Sequence, residues 1–473
     1  MKKLLFVILF SYLFPHVLSA DQIERKILNF SKWLNLNGYD QYLDKTGDPV
    51  DMVLDRSLCT SEATWDECVG ADGKLIPTKD RKYTLIYPNN LDVKIMKKGG
   101  GSEIHYQANP NFGTLLFYVF HYLEDIKGFG KYLVQPSKNP TKFKSNLIDD
   151  KIVKKQLQTK AILSYLYFEN DEIIVDEISP KDRFGILFKN DTKWSSMSMG
   201  KSLVSYVTGH AICGGYIDSI DTTLNDWPLI KNTLYSKKKL IDILNMAAGD
   251  QQYVDDNDGL KKTGRWYNTH PISSFANLEL KDSEPSNSKK YHYNGLATNI
   301  IMNYVIYKTD KDFQKLLNEI FQKKAKVENS VFFLKQKGIS DKQGPGRYSF
   351  RASRYDYLRI AKAIMDDYQN DTCVGKYLKE IHKRRIPKKL GDRNEPYFNR
   401  TKSYGGQFHM DYPGLENRVI FGLGGYGGNA ILIDVENSRI VVLNSIHYNN
   451  DRFKYNHKKL LIDPIKNGKK AFR

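Results

Sequence analysis

The sequence predicts an α+β fold in which an antiparallel sheet is flanked by helices and interrupted by an inserted helical domain. Two β-rich runs joined by a short polar turn occupy residues 161–177, and further strand patterns return between 418 and 443. Helical patterns dominate from about 196 to 390. This order, strands, then helices, then strands again, is expected when a helical domain is inserted into a sheet domain.

The first twenty residues have the pattern of a cleaved signal peptide. A basic start, Met1-Lys2-Lys3, precedes an apolar run from Leu4 to Phe14 that is short for a membrane span, and small residues end at Ala20. The alternative is an uncleaved anchor. We expect residues 1–20 to be removed and no integral membrane segment to remain. The sequence therefore predicts a periplasmic or secreted protein.

Residues 21–155 form a predicted N-terminal extension of unknown role. They contain a helical opening from Ile23 to Leu34, and a polar stretch from Pro136 to Pro140 separates most of them from the rest of the chain. We place the second domain at residues 156–473, where the strand and helix patterns of the α+β fold begin.

Four cysteines in 473 residues do not make a disulfide scaffold. Cys59 and Cys68 flank a polar loop and could form a bridge in an oxidising compartment. Cys213 and Cys373 have the pattern of ordinary buried or half-buried thiols. Neither a C-x-x-C nor an H-E-x-x-H motif occurs, so we predict no metal site and no cofactor.

The formal charge of +18 raises nucleic acid as a partner, but the distribution of the lysines argues against it. They are spread along the chain beside many Asn and Ile residues. The two densest basic clusters lie outside the motifs that carry a chemical signal. They are His382–Arg385 with Lys388 and Lys389, and the tail from Lys458 to Arg473. We interpret them as solvated surface and predict a small-molecule substrate.

Ser198-Met199-Gly200-Lys201 carries the strongest chemical signal. A serine and a lysine three residues apart share one face of a helix, one turn from each other. If the helix begins at Ser196, the Ser198 hydroxyl lies beside unpaired backbone N–H groups and the positive end of the helix dipole. A desolvated Lys201 amine would favour its neutral form and could accept the serine proton.

This S-x-x-K pattern is the nucleophile motif of the penicillin-recognising enzymes. Apolar residues continue after it as one wide stripe, so the motif is predicted to begin a buried central helix that ends at Gly214-Gly215. The run Trp194–Ser202 resembles the serine beta-lactamase-related family, in particular its class C, esterase and 6-aminohexanoate-dimer hydrolase branch. Leu240–Gly249 and Arg351–Ala361 are similar to two further helical segments of that family. The resemblance implies a beta-lactamase/transpeptidase-like fold.

The same resemblance implies a tyrosine base. The block from Tyr291 to Ile301 is similar to the family segment whose tyrosine acts as the general base, and we assign this role to Tyr293 in preference to Tyr291. The family often has Asn where this chain has Gly295, which removes an amide that would contact the substrate's acyl group. Asn294, as a partial substitute, and Gly295 both belong to the predicted substrate-binding set.

The third motif of the resemblance falls on a predicted strand, Gly422–Asn429. Its glycines let the backbone pass close to a substrate, and the N–H groups of Asn429 and Ser198 are expected to form an oxyanion hole. Tyr426, Gly427 and Gly428 are predicted substrate contacts. Tyr426 stands where beta-lactamases keep a lysine that binds the antibiotic's carboxylate.

These residues predict a serine hydrolase that cleaves an ester or amide bond. The lysine missing at Tyr426 favours an esterase or small-amide hydrolase over the second hypothesis, a D-Ala-D-Ala carboxypeptidase or beta-lactamase. The third hypothesis, a non-catalytic binding protein on the same fold, is disfavoured by the intact Ser198, Lys201 and Tyr293. Lys262-Thr263-Gly264 is a literal K-T-G motif, but it precedes Tyr293 and we treat it as chance. The absence of a G-x-S-x-G motif leaves an α/β-hydrolase triad without support.

Overall fold

The computed structural model describes part of the chain in detail. The described residues are 93–98, 101–106, 129–180, 188–255, 259–263, 270–286, 290–388, 400–445 and 455–472. The predicted signal peptide, the helical opening of the extension and the Cys59–Cys68 loop lie outside them.

The chain divides into two compact units, one of residues 1–119 with 179–189 and one of residues 120–178 with 190–473. In the first unit, the described strands β1 (Val93–Lys98) and β2 (Gly101–Tyr106) form an antiparallel hairpin. The elements that carry the predicted site all belong to the second unit.

The described strands of the second unit include the predicted ones, and two more, at residues 331–336 and 346–352, lie in the interval that we predicted to be mainly helical. The described strands are β3 (Phe129–Val134), β4 (Lys144–Ser145), β5 (Ile162–Glu169), β6 (Glu172–Ile178), β7 (Trp194–Ser195), β8 (Val331–Gln336), β9 (Gly346–Ala352), β10 (Ile386–Pro387), β11 (Ser403–Gly405), β12 (Phe408–Met410), β13 (Ile420–Gly425), β14 (Asn429–Asp434) and β15 (Arg439–Ser445).

Helices occupy the interval between the two groups of strands and also flank the sheets. The described α-helices are α1 (Lys151–Thr159), α2 (Met199–Cys213), α3 (Leu240–Leu244), α4 (Ile272–Ala276), α5 (Gly295–Thr309), α6 (Phe313–Leu317), α7 (Arg354–Gln369), α8 (Cys373–Lys383) and α9 (Asp463–Asn467).

Among the described residues, nine strands form the larger sheet in the order β10-β11-β12-β13-β14-β15-β5-β6-β4. All neighbours are antiparallel except β4 and β6. The predicted hairpin is present, because β5 and β6 pair across a turn in which Asn170 and Asp171 have positive φ, as a tight hairpin turn requires. The last strands of the chain therefore pair with the first, and the helical region lies between them in sequence.

A second sheet has the order β3-β8-β9-β7. Its strand β3 lies in the region that we predicted to be the extension, and it pairs along its whole length with β8. Helix α1 also spans the predicted boundary between residues 155 and 156. Residues 129–134 and 144–145 of the predicted extension thus belong to the sheets of the second unit.

Helix α2 is buried almost completely. All of its residues except His210, Ile212 and Cys213 are buried, because apart from the amine of Lys201 its side chains are mostly apolar or small on every side. Gly200 permits a close approach at its first turn, since a Cβ atom there would lie 2.0 Å from the Tyr348 carbonyl oxygen of β9. The helix that begins with the S-x-x-K motif is therefore the centre of the helical region, as predicted.

The prediction that Cys213 and Cys373 are separate thiols is wrong. The two residues form a disulfide, with their Cα atoms 5.8 Å apart. Cys213 is the last residue of α2 and Cys373 is the first of α8, and the helices pack together through contacts such as the 2.8 Å hydrogen bond between Ser205 Oγ and Tyr377 Oη. A sequence separation of 160 residues hides this proximity.

Within the described ranges, none of the helices combines the length and the apolar character that crossing a membrane requires.

Candidate active site

Ser198 lies at the N-terminus of α2, where it is the residue directly before the first helical position. We expected the helix to begin at Ser196. Instead the backbone of Ser196 is paired with Phe350 of β9, since its N–H donates to the Phe350 carbonyl oxygen at 2.8 Å, and the helix begins only at Met199. Met197, between them, has a φ of 46°, which is uncommon for a residue with a side chain and is typical of strained functional turns.

Lys201 is buried with its amine directed at the serine. Its Nζ donates a hydrogen bond of 3.1 Å to Ser198 Oγ, and only 2% of the residue is exposed. The same Nζ lies 4.0 Å from the ring centroid of Tyr348 and 4.8 Å from that of Tyr293. The two rings therefore enclose the amine next to the serine hydroxyl.

Of the two candidate tyrosines, Tyr293 is the one whose ring lies against Lys201. The ring of Tyr291 packs on Tyr404, with centroids 5.2 Å apart, and lies 6.0 Å from Lys388 Nζ. Burial, reinforced by Tyr293, raises the pKa of the Tyr291 hydroxyl well above its ordinary value. This arrangement agrees with our preference for Tyr293, whose role as a base stays a prediction.

The side-chain amide of Asn294 makes hydrogen bonds to other residues of the protein. Its Oδ1 accepts a hydrogen bond of 2.9 Å from the N–H of Ala297 and so caps α5, while its Nδ2 donates to Asp250 Oδ2 at 3.0 Å. Gly295 is the first residue of α5 and is buried. The described contacts thus give Asn294 a structural task, and they do not support it as a substrate contact.

The predicted strand Gly422–Asn429 is not continuous. Strand β13 ends at Gly425, a turn of three residues comes next, and β14 begins at Asn429. Gly427 and Gly428 both have positive φ, at 81° and 87°, so they reverse the chain where a strand was expected. Tyr426 opens this turn and is 38% exposed.

The end of β13 lies directly against the start of α2. A Cβ atom on Gly425 would lie 2.8 Å from the Ser196 carbonyl oxygen and 3.2 Å from Met199 Cγ, so only glycine fits. The side chain of Asn429 braces the turn, because its Nδ2 donates to the Tyr426 carbonyl oxygen at 2.8 Å and its Oδ1 accepts from the Ser445 N–H at 3.1 Å. The oxyanion role of the Asn429 N–H stays a prediction.

Sequence reasoning missed Lys388 and His409. We placed Lys388 in a solvated cluster, but it is buried, and its Nζ lies 3.3 Å from Nδ1 of His409 on β12. The His409 ring lies 6.3 Å from that of Tyr293. Burial, with the positive charges of Lys388 and Lys201, lowers the pKa of His409 well below its ordinary value, so its ring is neutral at neutral pH. No motif in the sequence marks this pair.

Asp250 was missed as well. Its carboxylate accepts hydrogen bonds from Tyr235 Oη at 2.7 Å and from Asn294 Nδ2 at 3.0 Å, and it lies 2.8 Å from His292 Nδ1. A signal was available, because Asp250 directly follows the segment Leu240–Gly249 that resembles the family.

Among the described residues, no group of three or more His, Cys, Asp or Glu side chains is arranged to hold a metal ion.

Comparisons with known proteins agree with this architecture. No protein-family profile and no curated protein sequence matches the chain. A Bacillus anthracis protein described as a 6-aminohexanoate-dimer hydrolase is structurally similar, with a TM-score of 0.53 and 14% identity over 72% of this chain and 91% of that one. A D-stereospecific amidohydrolase from Streptomyces gives a TM-score of 0.46 and 12% identity, over 68% of this chain and 99% of that one. The likeness to the first of these structures confirms the predicted beta-lactamase/transpeptidase-like fold.

Proposed function

We propose that this protein is a serine hydrolase that cleaves an ester or amide bond through an acyl-enzyme on Ser198. The observation that carries the proposal is the 3.1 Å hydrogen bond from Lys201 Nζ to Ser198 Oγ at the N-terminus of a buried helix, with the Tyr293 ring on the amine. A nucleophile and a base within hydrogen-bond distance are the geometric requirement for this chemistry.

In the first step, Ser198 Oγ attacks the carbonyl carbon of the substrate and its proton passes to Lys201 Nζ, which acts in its neutral form. The bond between the carbonyl carbon and the leaving group then breaks, and Tyr293 relays the proton held by Lys201 to the departing oxygen or nitrogen. In the second step, water attacks the acyl carbon and gives its proton to the same groups. The acid is released and Ser198 Oγ regains its proton.

The negative charge that develops on the carbonyl oxygen needs fixed donors. We propose the backbone N–H groups of Ser198 and Asn429 for this role. Two features support an oxyanion hole here: the left-handed backbone of Met197, which sets the turn that leads into Ser198, and the close approach of Gly425 to that turn.

The proposed substrate class follows from the side chain of Tyr426 in the turn after β13. Tyr426 offers a phenol where the related lactamases have a lysine, so we propose short-chain esters or small amides as substrates in preference to beta-lactams. Lys388 is a buried cation near Tyr291 and His409, and it favours one alternative, an acyl donor that carries a carboxylate, as in cell-wall peptides.

We propose that the protein acts in the periplasm or outside the cell. The disulfide between Cys213 and Cys373 supports an oxidising compartment, since such bonds are rare in the reducing cytosol.

Labelling with a fluorophosphonate probe tests the proposal. Intact-mass spectra should show one adduct on the wild-type protein and none on Ser198→Ala. Ser202→Ala is the matched control, because Ser202 lies on the same helix and its hydroxyl is bound to the Gln407 carbonyl oxygen at 2.6 Å. This variant should still be labelled. Equal labelling of Ser198→Ala and the wild-type protein would remove Ser198 from the mechanism.

A further inference from the structure

Tyr293 stands between two residues that are both bound to one buried carboxylate. His292 Nδ1 lies 2.8 Å from Asp250 Oδ1, and Asn294 Nδ2 donates to Asp250 Oδ2 at 3.0 Å. Side chains of successive residues in extended chain point to opposite sides, and Asn294 has extended backbone angles, with φ −154° and ψ 161°. The carboxylate therefore holds the residues on either side of Tyr293, whose own ring meets Lys201 Nζ.

Asp250 is itself held firmly. Only 1% of the residue is exposed, and Tyr235 Oη donates to its Oδ2 at 2.7 Å. Its neighbour Gly249 has a φ of 77°, and a Cβ atom there would lie 2.7 Å from the Ser286 carbonyl oxygen, so the loop fits closely against the chain that leads to Tyr293.

A backbone contact joins the same two segments. The N–H of His292 donates to the Met246 carbonyl oxygen at 2.7 Å. Asn294 also caps α5, so the bond from Asp250 fixes the helix N-terminus together with the residue before it. The carboxylate and the backbone contact thus hold the segment on both sides of Tyr293.

We propose that Asp250 is the positioning residue for Tyr293, and that it sets the rate of proton transfer without contacting the substrate. This inference rests on the proposed function, in which Tyr293 carries the proton to the leaving group. A misplacement of a reacting group by about 1 Å can cost on the order of a hundredfold in rate. Loss of the carboxylate should therefore lower kcat strongly and leave KM nearly unchanged.

The test is a double-mutant cycle on a fluorogenic ester, with Asp250→Asn and Asp250→Ala combined with Tyr293→Phe. Alone, each Asp250 variant should lower kcat by about 10- to 100-fold. In the Tyr293→Phe background, the same change should have little further effect, because the hydroxyl that it misplaces is already absent. A purely structural role for Asp250 would give the same loss in both backgrounds and would overturn the inference.

Asp367→Asn is the matched control. Asp367 is equally buried and also accepts a tyrosine hydroxyl, Tyr206 Oη at 2.6 Å, but none of its described partners is a proposed catalytic group. Any loss of kcat that Asp367→Asn causes should be the same in the wild-type and Tyr293→Phe backgrounds. If the Asp250 variants do not fold, as judged by circular dichroism, His292→Leu removes one of the three side chains around the carboxylate. It should cause a smaller loss that again disappears with Tyr293→Phe.

Failure of the inference is distinguishable from failure of the proposed function. If Ser198→Ala abolishes turnover and Tyr293→Phe lowers it strongly while folded Asp250→Asn keeps the wild-type kcat, the positioning role is wrong and the hydrolase stands. If Ser198→Ala and Tyr293→Phe retain full turnover, the proposed function fails, and this inference fails with it.

Discussion

Lys388 Nζ lies 3.3 Å from Nδ1 of His409 inside the protein, and the His409 ring centroid is 6.3 Å from that of Tyr293. A lysine ammonium can only donate, so Nδ1 of His409 accepts and the ring proton belongs on Nε2. The pair thus fixes the tautomer of a neutral histidine beside the proposed base.

The first prediction concerns this histidine. Because burial is the main cause of its lowered pKa and Lys388 the next, the ring of His409 should still be neutral at about pH 6.5, where an ordinary histidine is half protonated. Its ring signals in a heteronuclear NMR titration should stay constant as the pH falls from about 8 to about 6.5. Removing the charge in Lys388→Met should raise the pKa of His409. A ring that titrates near its ordinary value in the wild-type protein would contradict the described burial.

The second prediction separates the two tyrosines. Tyr293→Phe keeps the ring on Lys201 but deletes the hydroxyl, so folding should survive while acylation slows by about 10²–10⁴. Tyr291→Phe is the matched control, since the ring of Tyr291 packs on Tyr404 and no contact with Lys201 is described for it. Burst kinetics on a nitrophenyl ester measure the acylation rate of both variants. A larger loss of acylation rate in Tyr291→Phe than in Tyr293→Phe would assign the proton-transfer role to Tyr291.

The third prediction concerns substrate class. Because Tyr426 offers no cation, short-chain nitrophenyl esters should be hydrolysed with a much higher kcat/KM than nitrocefin. Tyr426→Lys should shift this ratio towards nitrocefin, and the exposed position of Tyr426 makes the change tolerable for folding. Efficient nitrocefin hydrolysis by the wild-type protein with negligible esterase activity would favour the lactamase hypothesis instead.

The fourth prediction links His210 to acid stability. Desolvation of the partly buried His210 ring lowers its pKa from 6.5 to about 4, with Lys324 adding to the effect and Asp367 opposing it. The unfolded chain therefore binds a proton at a higher pH than the folded chain does, and stability present above about pH 6.5 is lost as the pH falls towards 4. The full difference corresponds to roughly 3 kcal/mol in the free energy of unfolding.

Urea unfolding at several pH values, followed by circular dichroism, measures this loss. In His210→Gln the curve of stability against pH should be flatter over the same range. His409 titrates in the same direction in both proteins, so only their difference reports His210. Parallel curves for the two proteins would show that His210 is not the group responsible.

The sequence predicted those parts of the site that lie within one local pattern. Ser198 and Lys201 come together through the spacing of a helix, and the strands β5, β6, β14 and β15 arise from β-rich runs and short turns. Gly427 and Gly428 show the limit of this reasoning, because a glycine run fits a strand edge and a tight turn equally well until the φ angles are known.

Contacts between distant segments were not predictable. Lys388 and His409 reach the site from a short strand end and β12, and neither belongs to a spacing motif. Asp250 is marked only by its place after the segment Leu240–Gly249, which does not indicate its partners. The same holds for strand β3, whose partner β8 lies far along the chain, beyond the whole of α2 and α5. Such contacts depend on how the sheets and helices assemble, and the local periodicity of apolar residues does not predict that assembly.

The disulfide between Cys213 and Cys373 closes a covalent ring around most of the helical region. Asp250 and Tyr293 lie within the ring, whereas Ser198 and Lys201 precede it and the turn after β13 comes later in the chain. A protease cut between residues 214 and 372 would therefore leave two fragments joined to each other, with the tyrosine still attached to the chain that bears the nucleophile. In an environment rich in proteases, a nicked molecule would stay one covalent unit until its disulfide is reduced.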